Sequence, residues 1–282
     1  MEALKGNRLR VGALIALATV STCAAARTET AAGFFSLRMG TVRAFDEYLA
    51  KTEARNARTK DGHFLWPDDF DETQREEAYG KLKSGEVEIR RVAAVSADVP
   101  GGLIHDWKGI VFIPGAKLDD VLGVLQDYNE HAKYYAPDVE RAKIEERDGN
   151  HFRVFMRFRR HQIITVVLNT EQDVNYYRDS GTKAHSRSSA TRIAQVEKPG
   201  TAAETEKTPG NDDGYLWRME TWWRMEERNG GVYVQNEVLT LTRDIPVGLG
   251  WLIEPFISSI PRKTLEFTLE ATRKAVVETK GH

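Results

Sequence analysis

The spacing of apolar residues divides this chain into a helical part and a part rich in strands. Between residues 31 and 58, apolar side chains recur among charges at nearly helical spacing. A second, shorter helical pattern begins at Asp71, with acidic residues in its first turn, where the helix dipole favours them. After Gly85 the period changes to two, which is typical of strands. We therefore expect a helical N-terminal extension over residues 27–85 and a separate domain over residues 86–282.

The second part begins with two strands and one helix, and a long series of strands follows. The helix carries an apolar stripe from Leu118 to Tyr128, so it must face a core. Turn-forming residues separate the later runs, and short turns make consecutive strands antiparallel. We expect residues 198–213, which are polar, to project from the sheet as a mobile loop. The predicted strands of this series are 139–147, 151–160, 162–177, 183–197, 214–228 and 231–243.

The last part of the chain is again helical in pattern. Because prolines are tolerated best near a helix start, Pro255 and Pro261 favour a short helical segment over residues 248–260 and a long helix from about 261 onward. One antiparallel sheet followed by one long helix predicts an α+β fold of two layers.

The N-terminus is typical of a secretory signal peptide. Basic residues up to Arg10 precede the apolar run 11–20, and small residues follow, so we expect cleavage after Ala26 and export to the periplasm or the medium. The run is too short for a comfortable membrane span. Cys23 is the only cysteine and lies within the predicted signal, so the mature chain would contain no disulfide. Lipid attachment at Cys23 is the less favoured alternative, because Thr22 stands where such sites usually have Gly, Ala or Ser.

Composition and motifs exclude several classes of function. The net charge is -2 and 41% of the residues are apolar, as in an ordinary soluble globular protein. Without a basic excess, nucleic acid is not an expected partner. The seven histidines are dispersed and form no HExxH pair, so we expect no metal site. No phosphate loop, dinucleotide fingerprint or nucleophile elbow is present in the sequence, and we expect no cofactor.

The order of elements resembles the START-like, or SRPBCC, superfamily, which includes polyketide cyclase/dehydrase-like and coenzyme Q-binding proteins. The resemblance covers about residues 86–279 and is strengthened by two stretches, 112–125 and 236–246, each of which leads into a predicted helix. It implies a helix-grip fold, in which the sheet curls around the last helix and leaves a cavity for an apolar molecule. It implies nothing about the extension or about residues 198–213.

The candidate ligand-binding residues come from this implied cavity and from the pattern of side chains. Alternation along 215–225 places Tyr215, Trp217 and Trp223 on one buried face, which is either core or cavity wall. Thr268 and Thr272 share a helix face with leucines and either leave room for a ligand or permit close packing. The set comprises Trp107, Phe112, Tyr134, Tyr135, Phe155, Arg157, Tyr215, Trp217, Trp223, Asn236, Leu265, Thr268, Leu269 and Thr272.

Two of these candidates have an alternative interpretation of their own. Arg157 shares a strand face with Arg159 and His161, and would bind the anionic head of an amphiphile unless this is simply a solvated basic face. The Tyr134–Tyr135 pair either gates a cavity mouth or forms the end of an amphipathic helix.

The sequence leaves three functions open. The favoured one is an exported protein that binds or carries a hydrophobic small molecule such as a lipid, a quinone or a polyketide-like compound. The alternative is a cyclase or hydratase acting on an apolar or aromatic substrate in the same cavity, with Asn236, Glu237 and Arg157 as candidate polar groups. The third is a cell-envelope accessory protein whose extension docks on a protein partner that the sequence does not identify. Peripheral membrane contact also stays open.

Overall fold

The computed structural model describes residues 37–57, 63–92, 99–161, 165–244 and 250–280, with side chains in the last range from 261 onward. The predicted signal peptide lies outside these residues. The described part from residue 37 belongs to one compact unit. Its helices are α1 (Met39–Ala57), α2 (Glu72–Lys83), α3 (Leu118–Gln126), α4 (His131–Tyr134) and α5 (Gly250–Lys280), with 3-10 turns at Trp66–Asp69 and Tyr128–Glu130.

One antiparallel sheet contains all the strands of the described residues. In space their order is β1-β2-β9-β8-β6-β5-β4-β3, and β7 pairs with the end of β6. The predicted meander is confirmed. The strands are β1 (Glu88–Arg91), β2 (Gly102–Pro114), β3 (Val139–Asp148), β4 (His151–His161), β5 (Thr165–Arg178), β6 (Lys183–Glu197), β7 (Thr205–Glu206), β8 (Arg218–Arg228) and β9 (Gly231–Arg243).

The long helix α5 differs from its prediction at its start. It runs without a break from Gly250 and includes Pro261, where we expected a separate segment to end. A proline removes one helical N–H donor, but the neighbouring residues keep theirs, so a helix can continue through it. The α+β helix-grip fold is confirmed, because a large antiparallel sheet packs against a long C-terminal helix.

Helices cover both faces of the sheet. Side chains alternate between faces along each strand. On the inner face, α5 packs with α3 and α4 against Val111 and Val234. On the outer face, α1, the first 3-10 turn and α2 pack against Ile110 and Leu239. The extension therefore adds a third layer to the two that the sequence predicts.

Apolar side chains fix the extension to the outer face. Phe45 of α1 is fully buried against Ile104, Leu239 and Leu241, and Leu65 and Leu82 fill a second cluster around Ile110. Burial of one such side chain stabilises a fold by about 1.5–3 kcal/mol. The apolar side of α1 is thus occupied by its own sheet, and docking of the extension on a protein partner stays a prediction.

A buried ionic network joins the extension to the same face. Glu237 of β9 binds Lys108 of β2 at 2.9 Å, and it also pairs with Arg55 of α1. Asp106 accepts a hydrogen bond from the Tyr48 hydroxyl at 2.9 Å. Burial and the neighbouring Glu237 carboxylate raise the pKa of Asp106 above its ordinary value. Burial also acts to raise the pKa of Glu237, but Lys108 and Arg55 outweigh it and hold this pKa below its ordinary value.

Residues 198–213 lie against the sheet rather than projecting from it. Glu204 binds Arg157 of β4 through both carboxylate oxygens, at 2.9 and 3.0 Å. Glu206 of β7 accepts a hydrogen bond from Asn169 at 2.6 Å. The expectation of a projecting loop is wrong because these two carboxylates find buried partners on the outer face. The mobility of the segment stays a prediction.

Candidate functional site

The interior between the sheet and α5 is closest-packed where the helix crosses Gly109 of β2. A Cβ atom at this position would lie 2.5 Å from Cδ1 of Leu269 and 3.1 Å from Cγ of Leu265. Only a residue without a side chain allows the helix to approach the strand so closely. Lys280, at the other end of the described helix, binds the Gly115 carbonyl. The helix therefore runs beside β2 in the same direction, and the contact at Gly109 separates two parts of the interior.

One part is closed and filled with aromatic side chains. The Tyr135 hydroxyl forms a hydrogen bond with the Thr272 hydroxyl at 3.0 Å, and the Tyr128 and Tyr176 hydroxyls lie 2.8 Å apart. His131 packs edge-on against Tyr135, and burial lowers the pKa of His131 to about 4. Tyr135 is thus part of a sealed core, which favours the helix-end interpretation over a gate. We call this region the closed half.

The other part, toward the beginning of β2, is lined by side chains that are only partly buried. Trp107, Val238 and Thr221 form one row across β2, β9 and β8, and Trp223 lies in the next row. All four side chains face inward and all keep partial exposure. On the opposite face of the same strands Ile110, Tyr233 and Leu239 are fully buried. We call the region around this row the open half.

Polar groups lie between the two halves. Asn236 and Ser186 flank Trp223 in one row and are almost fully buried. The Ser186 hydroxyl has no hydrogen-bond partner among the described residues. In the neighbouring rows Gln172 bridges the hydroxyls of Ser188 and Thr170, each at 3.1 Å. A ligand entering from the open half would meet this polar group of side chains at its inner end.

The arrangement of layers and the strand order identify the architecture. The fold is of the helix-grip type. No family model matches the chain, and no curated protein matches it in sequence. In the part of the chain that the structure describes, no helix is long and apolar enough to cross a membrane, and no group of side chains has the composition of a metal site.

Solved structures resemble this fold at low sequence identity. A STAR-related lipid transfer protein fragment from Xanthomonas axonopodis is 17% identical over 65% of this chain and 97% of that one, with a TM-score of 0.44. A START superfamily protein from Mycobacterium smegmatis is 13% identical over 62% and 99%, with a TM-score of 0.41. The di-domain aromatase/cyclase StfQ from the steffimycin pathway is 16% identical over 64% and 53%, with a TM-score of 0.42.

The structure brings nine of the fourteen predicted ligand-binding residues to the interior or its edge. Trp107 and Trp223 line the open half, Asn236 lies at its inner end, and Leu265 and Leu269 pack at Gly109. Thr268 and Thr272 donate to the carbonyls four residues earlier in α5, and Thr272 is buried beside Tyr135. The Tyr134 hydroxyl donates to Asp127 at the edge of the closed half.

The other predicted residues lie outside this interior. Phe112 and Phe155 face outward. Phe112 lies five residues after the inward-facing Trp107 on β2, so the two side chains point to opposite faces, and Phe155 lies two residues before the outward-facing Arg157 on β4. Trp217 precedes β8, and its indole N–H donates to Asp212 in a turn that directs the ring into the outer cluster around α1. Tyr215 lies in the same turn, with Arg243 over its ring. The prediction that 215–225 is one strand with one aromatic face is therefore wrong.

The predicted polar candidates also divide between the faces. Arg157 is buried on the outer face and paired with Glu140 and Glu204, so its charge is already neutralised. Glu237 belongs to the ionic network beneath the extension. Of the three polar groups considered for catalysis, only Asn236 faces the interior, and the enzymatic alternative stays a prediction.

Arg91 and His105 also face inward and were not among the predicted site residues. Arg91 lies at the end of β1 and His105 in β2, both on the face of Trp107. His105 and Asp106 point to opposite faces, as the alternation predicts, but His105 is only 1% exposed rather than a surface residue. The alternation of Ile89 and Arg91 with Arg90 was the available signal, although strand length alone does not say which face is inner.

Proposed function

We propose that this chain is an exported protein that binds or carries a hydrophobic small molecule, such as a lipid, a quinone or a polyketide-like compound, in the open half. The observation that carries the proposal is the partial exposure of Trp107, Trp223 and Val238 on the inner face, whereas Ile110, Tyr233 and Leu239 on the outer face of the same region are fully buried. Apolar surface exposed inside a concave site is stabilised when an apolar ligand covers it. The polar side chains at the inner end would orient that ligand.

Export is part of the same proposal and is supported by the sequence of residues 1–26 alone. A carrier in the periplasm or the medium needs a site that shields an apolar molecule from water. The fold gives that shielding through α5 on one side and the sheet on the other. One of the similar solved structures is named as a lipid transfer protein, and a lipid would be a cargo of this class. The proposal itself depends on the inner face described above.

Native mass spectrometry of the gently purified protein tests the proposal directly. We expect an added mass that organic extraction removes, and a rise of about 5 °C or more in melting temperature when saturating lipids or quinones are returned, because a ligand selective for the folded state stabilises it by mass action. An empty protein that no lipid or quinone of a broad panel stabilises would contradict the proposal.

A filling variant locates the site. Thr221→Phe places a ring in the open half between Val238 and Ser188. We expect it to fold and to lose most of the ligand-induced stabilisation. Thr191→Phe is the matched control, because Thr191 is an exposed strand residue of β6. Equal stabilisation of both variants by ligand would place the site elsewhere.

A further inference from the structure

Three neighbouring side chains at the edge of the open half carry hydrogen-bonding atoms without partners. They are Nε and Nη2 of Arg91, Nδ1 of His105 and Nε1 of Trp107, all buried and all unpartnered among the described residues. Burial of a guanidinium without an acceptor is costly, and such groups in folded proteins are nearly always paired. This concentration of unpaired atoms at one place therefore indicates a site for an acceptor that binds from outside the chain.

The three side chains lie close enough to act on one group. Arg91 and Trp107 are directly opposite each other on β1 and β2, and Cζ of Arg91 lies 5.6 Å from the Trp107 ring centre. His105 is two residues before Trp107 on the same strand face, and its Nε2 lies 3.1 Å from the Thr242 hydroxyl. Burial and the charge of Arg91 lower the pKa of His105 to about 4, so His105 adds no positive charge of its own at neutral pH.

Among the described residues no carboxylate lies within salt-bridge distance of Arg91, in contrast to three arginines elsewhere on the sheet. Arg157 pairs with Glu140 and Glu204, Arg187 with Glu220, and Arg228 with Asp68. Each of these pairs lies on the outer face or around it. Arg91, an inward-facing cation at the open half, is thus left without a counter-charge among the described residues.

The chemistry of the free atoms defines the class of ligand. Nε and Nη2 form the side edge of a guanidinium, which presents two parallel N–H donors and matches the two oxygens of a carboxylate or a phosphate. The indole Nε1 is a donor only. We propose that Arg91, with Trp107 and His105 beside it, binds the anionic oxygen head of an amphiphile. The tail then follows the row from Trp107 through Val238 to Thr221. This inference rests on the proposed function.

A matched set of single-chain probes tests the head site on the unmodified protein. Dodecanoate, dodecyl phosphate and dodecanol share one tail and differ in the head group, and isothermal titration calorimetry gives a Kd for each. We expect at least one anionic probe to bind about tenfold or more tightly than dodecanol, as a bidentate charge-assisted contact requires. The tighter of the two anions says whether the head is a carboxylate or a phosphate.

Two variants then assign the preference to these residues. Arg91→Met keeps an unbranched apolar side chain and removes the donors, and we expect it to abolish the anion preference while dodecanol binds as before. Trp107→Phe keeps a ring and removes Nε1, and should weaken the anionic probe about twofold to fivefold. Arg90→Met is the control, because Arg90 is the next residue of β1 and lies over Trp66 on the outer face.

The outcomes separate this inference from the proposed function. Equal binding of dodecanol and both anions by the unmodified protein overturns the head site and leaves the apolar site standing. An anion preference that survives Arg91→Met, or a loss of all three probes in a variant that still melts cooperatively, also overturns it. Failure of the unmodified protein to bind any probe, together with an empty protein in mass spectrometry, contradicts the proposed function itself.

Discussion

The ionic network beneath the extension gives the sharpest test of the outer face. The perturbation is Glu237→Gln, which keeps the shape of the side chain and removes its charge. Lys108 has 9% of its side chain exposed and lies 2.9 Å from Glu237, so it would keep a charge in a buried place without a counter-charge. The cost at Arg55 is smaller, because its side chain is 40% exposed and keeps Asp106 as an ion-pair partner at 3.4 Å. Removal of one partner from a buried pair costs about 3–5 kcal/mol, and we expect about 3 kcal/mol here.

Urea unfolding followed by circular dichroism at pH 7 measures this loss. Glu146→Gln is the control, because Glu146 pairs with Arg153 on the surface, with more than half of each side chain exposed, and such pairs contribute at most about 1 kcal/mol. The double variant Glu237→Gln with Lys108→Met should recover at least about half of the loss, because it removes the uncompensated charge. The reasoning fails if Glu237→Gln costs no more than the control, or if Lys108→Met adds a further loss of its own.

Three further predictions concern Arg157, the buried histidines and export. Arg157→Met should lower the free energy of unfolding by about 2 kcal/mol in urea and leave the Kd for dodecanoate unchanged, because Arg157 binds Glu140 and Glu204 on the outer face; a changed Kd would contradict this. Burial holds the pKa values of His105 and His131 at about 4, below the ordinary 6.5, so the unfolded chain protonates first and stability falls as the pH drops from 6.5 toward 4. Between pH 7 and pH 5, the free energy of unfolding in urea should therefore fall by about 2 kcal/mol less for His131→Leu than for the unmodified protein. An equal fall in the two proteins would refute the burial of that imidazole. Intact-mass measurement of the protein exported by a bacterial host should give a chain that begins at Arg27, whereas an uncleaved or lipid-modified chain would contradict cleavage after Ala26.

The order of elements was predictable because it is encoded locally. Two-residue alternation and turn-forming residues bound each strand, and the predicted strands 183–197 and 231–243 coincide with β6 and β9. The stripe of apolar residues in α3 likewise needs only the helical period. These signals do not depend on what packs against the element, so they survive into the structure unchanged.

The packing of the extension on the outer face was not predictable, because the sequence of a strand does not show which other segment packs against its charged face. The alternate residues of β8 are largely charged and suggest a face toward solvent. In the structure Arg218 meets Asp46 of α1 at 3.3 Å, and Arg187 of the neighbouring β6 meets Glu53 at 3.0 Å. These partners lie more than 130 residues away in the chain. Only the folded arrangement reveals that a charged strand face is an internal interface.

The same reasoning explains why the sequence pointed to Arg157 as a head-group residue although its charge is already paired. Arg157 stands among other basic residues, which suggests an unmet positive charge, whereas Arg91 follows Arg90 in a short strand without any special setting. The carboxylates that decide the matter come from distant segments. Glu204 reaches Arg157 across the sheet, and no comparable carboxylate of the described residues reaches Arg91. Whether an arginine is available to bind a ligand therefore depends on which distant carboxylates pair with it in the folded protein. That availability changes only when the segment that supplies the carboxylate changes.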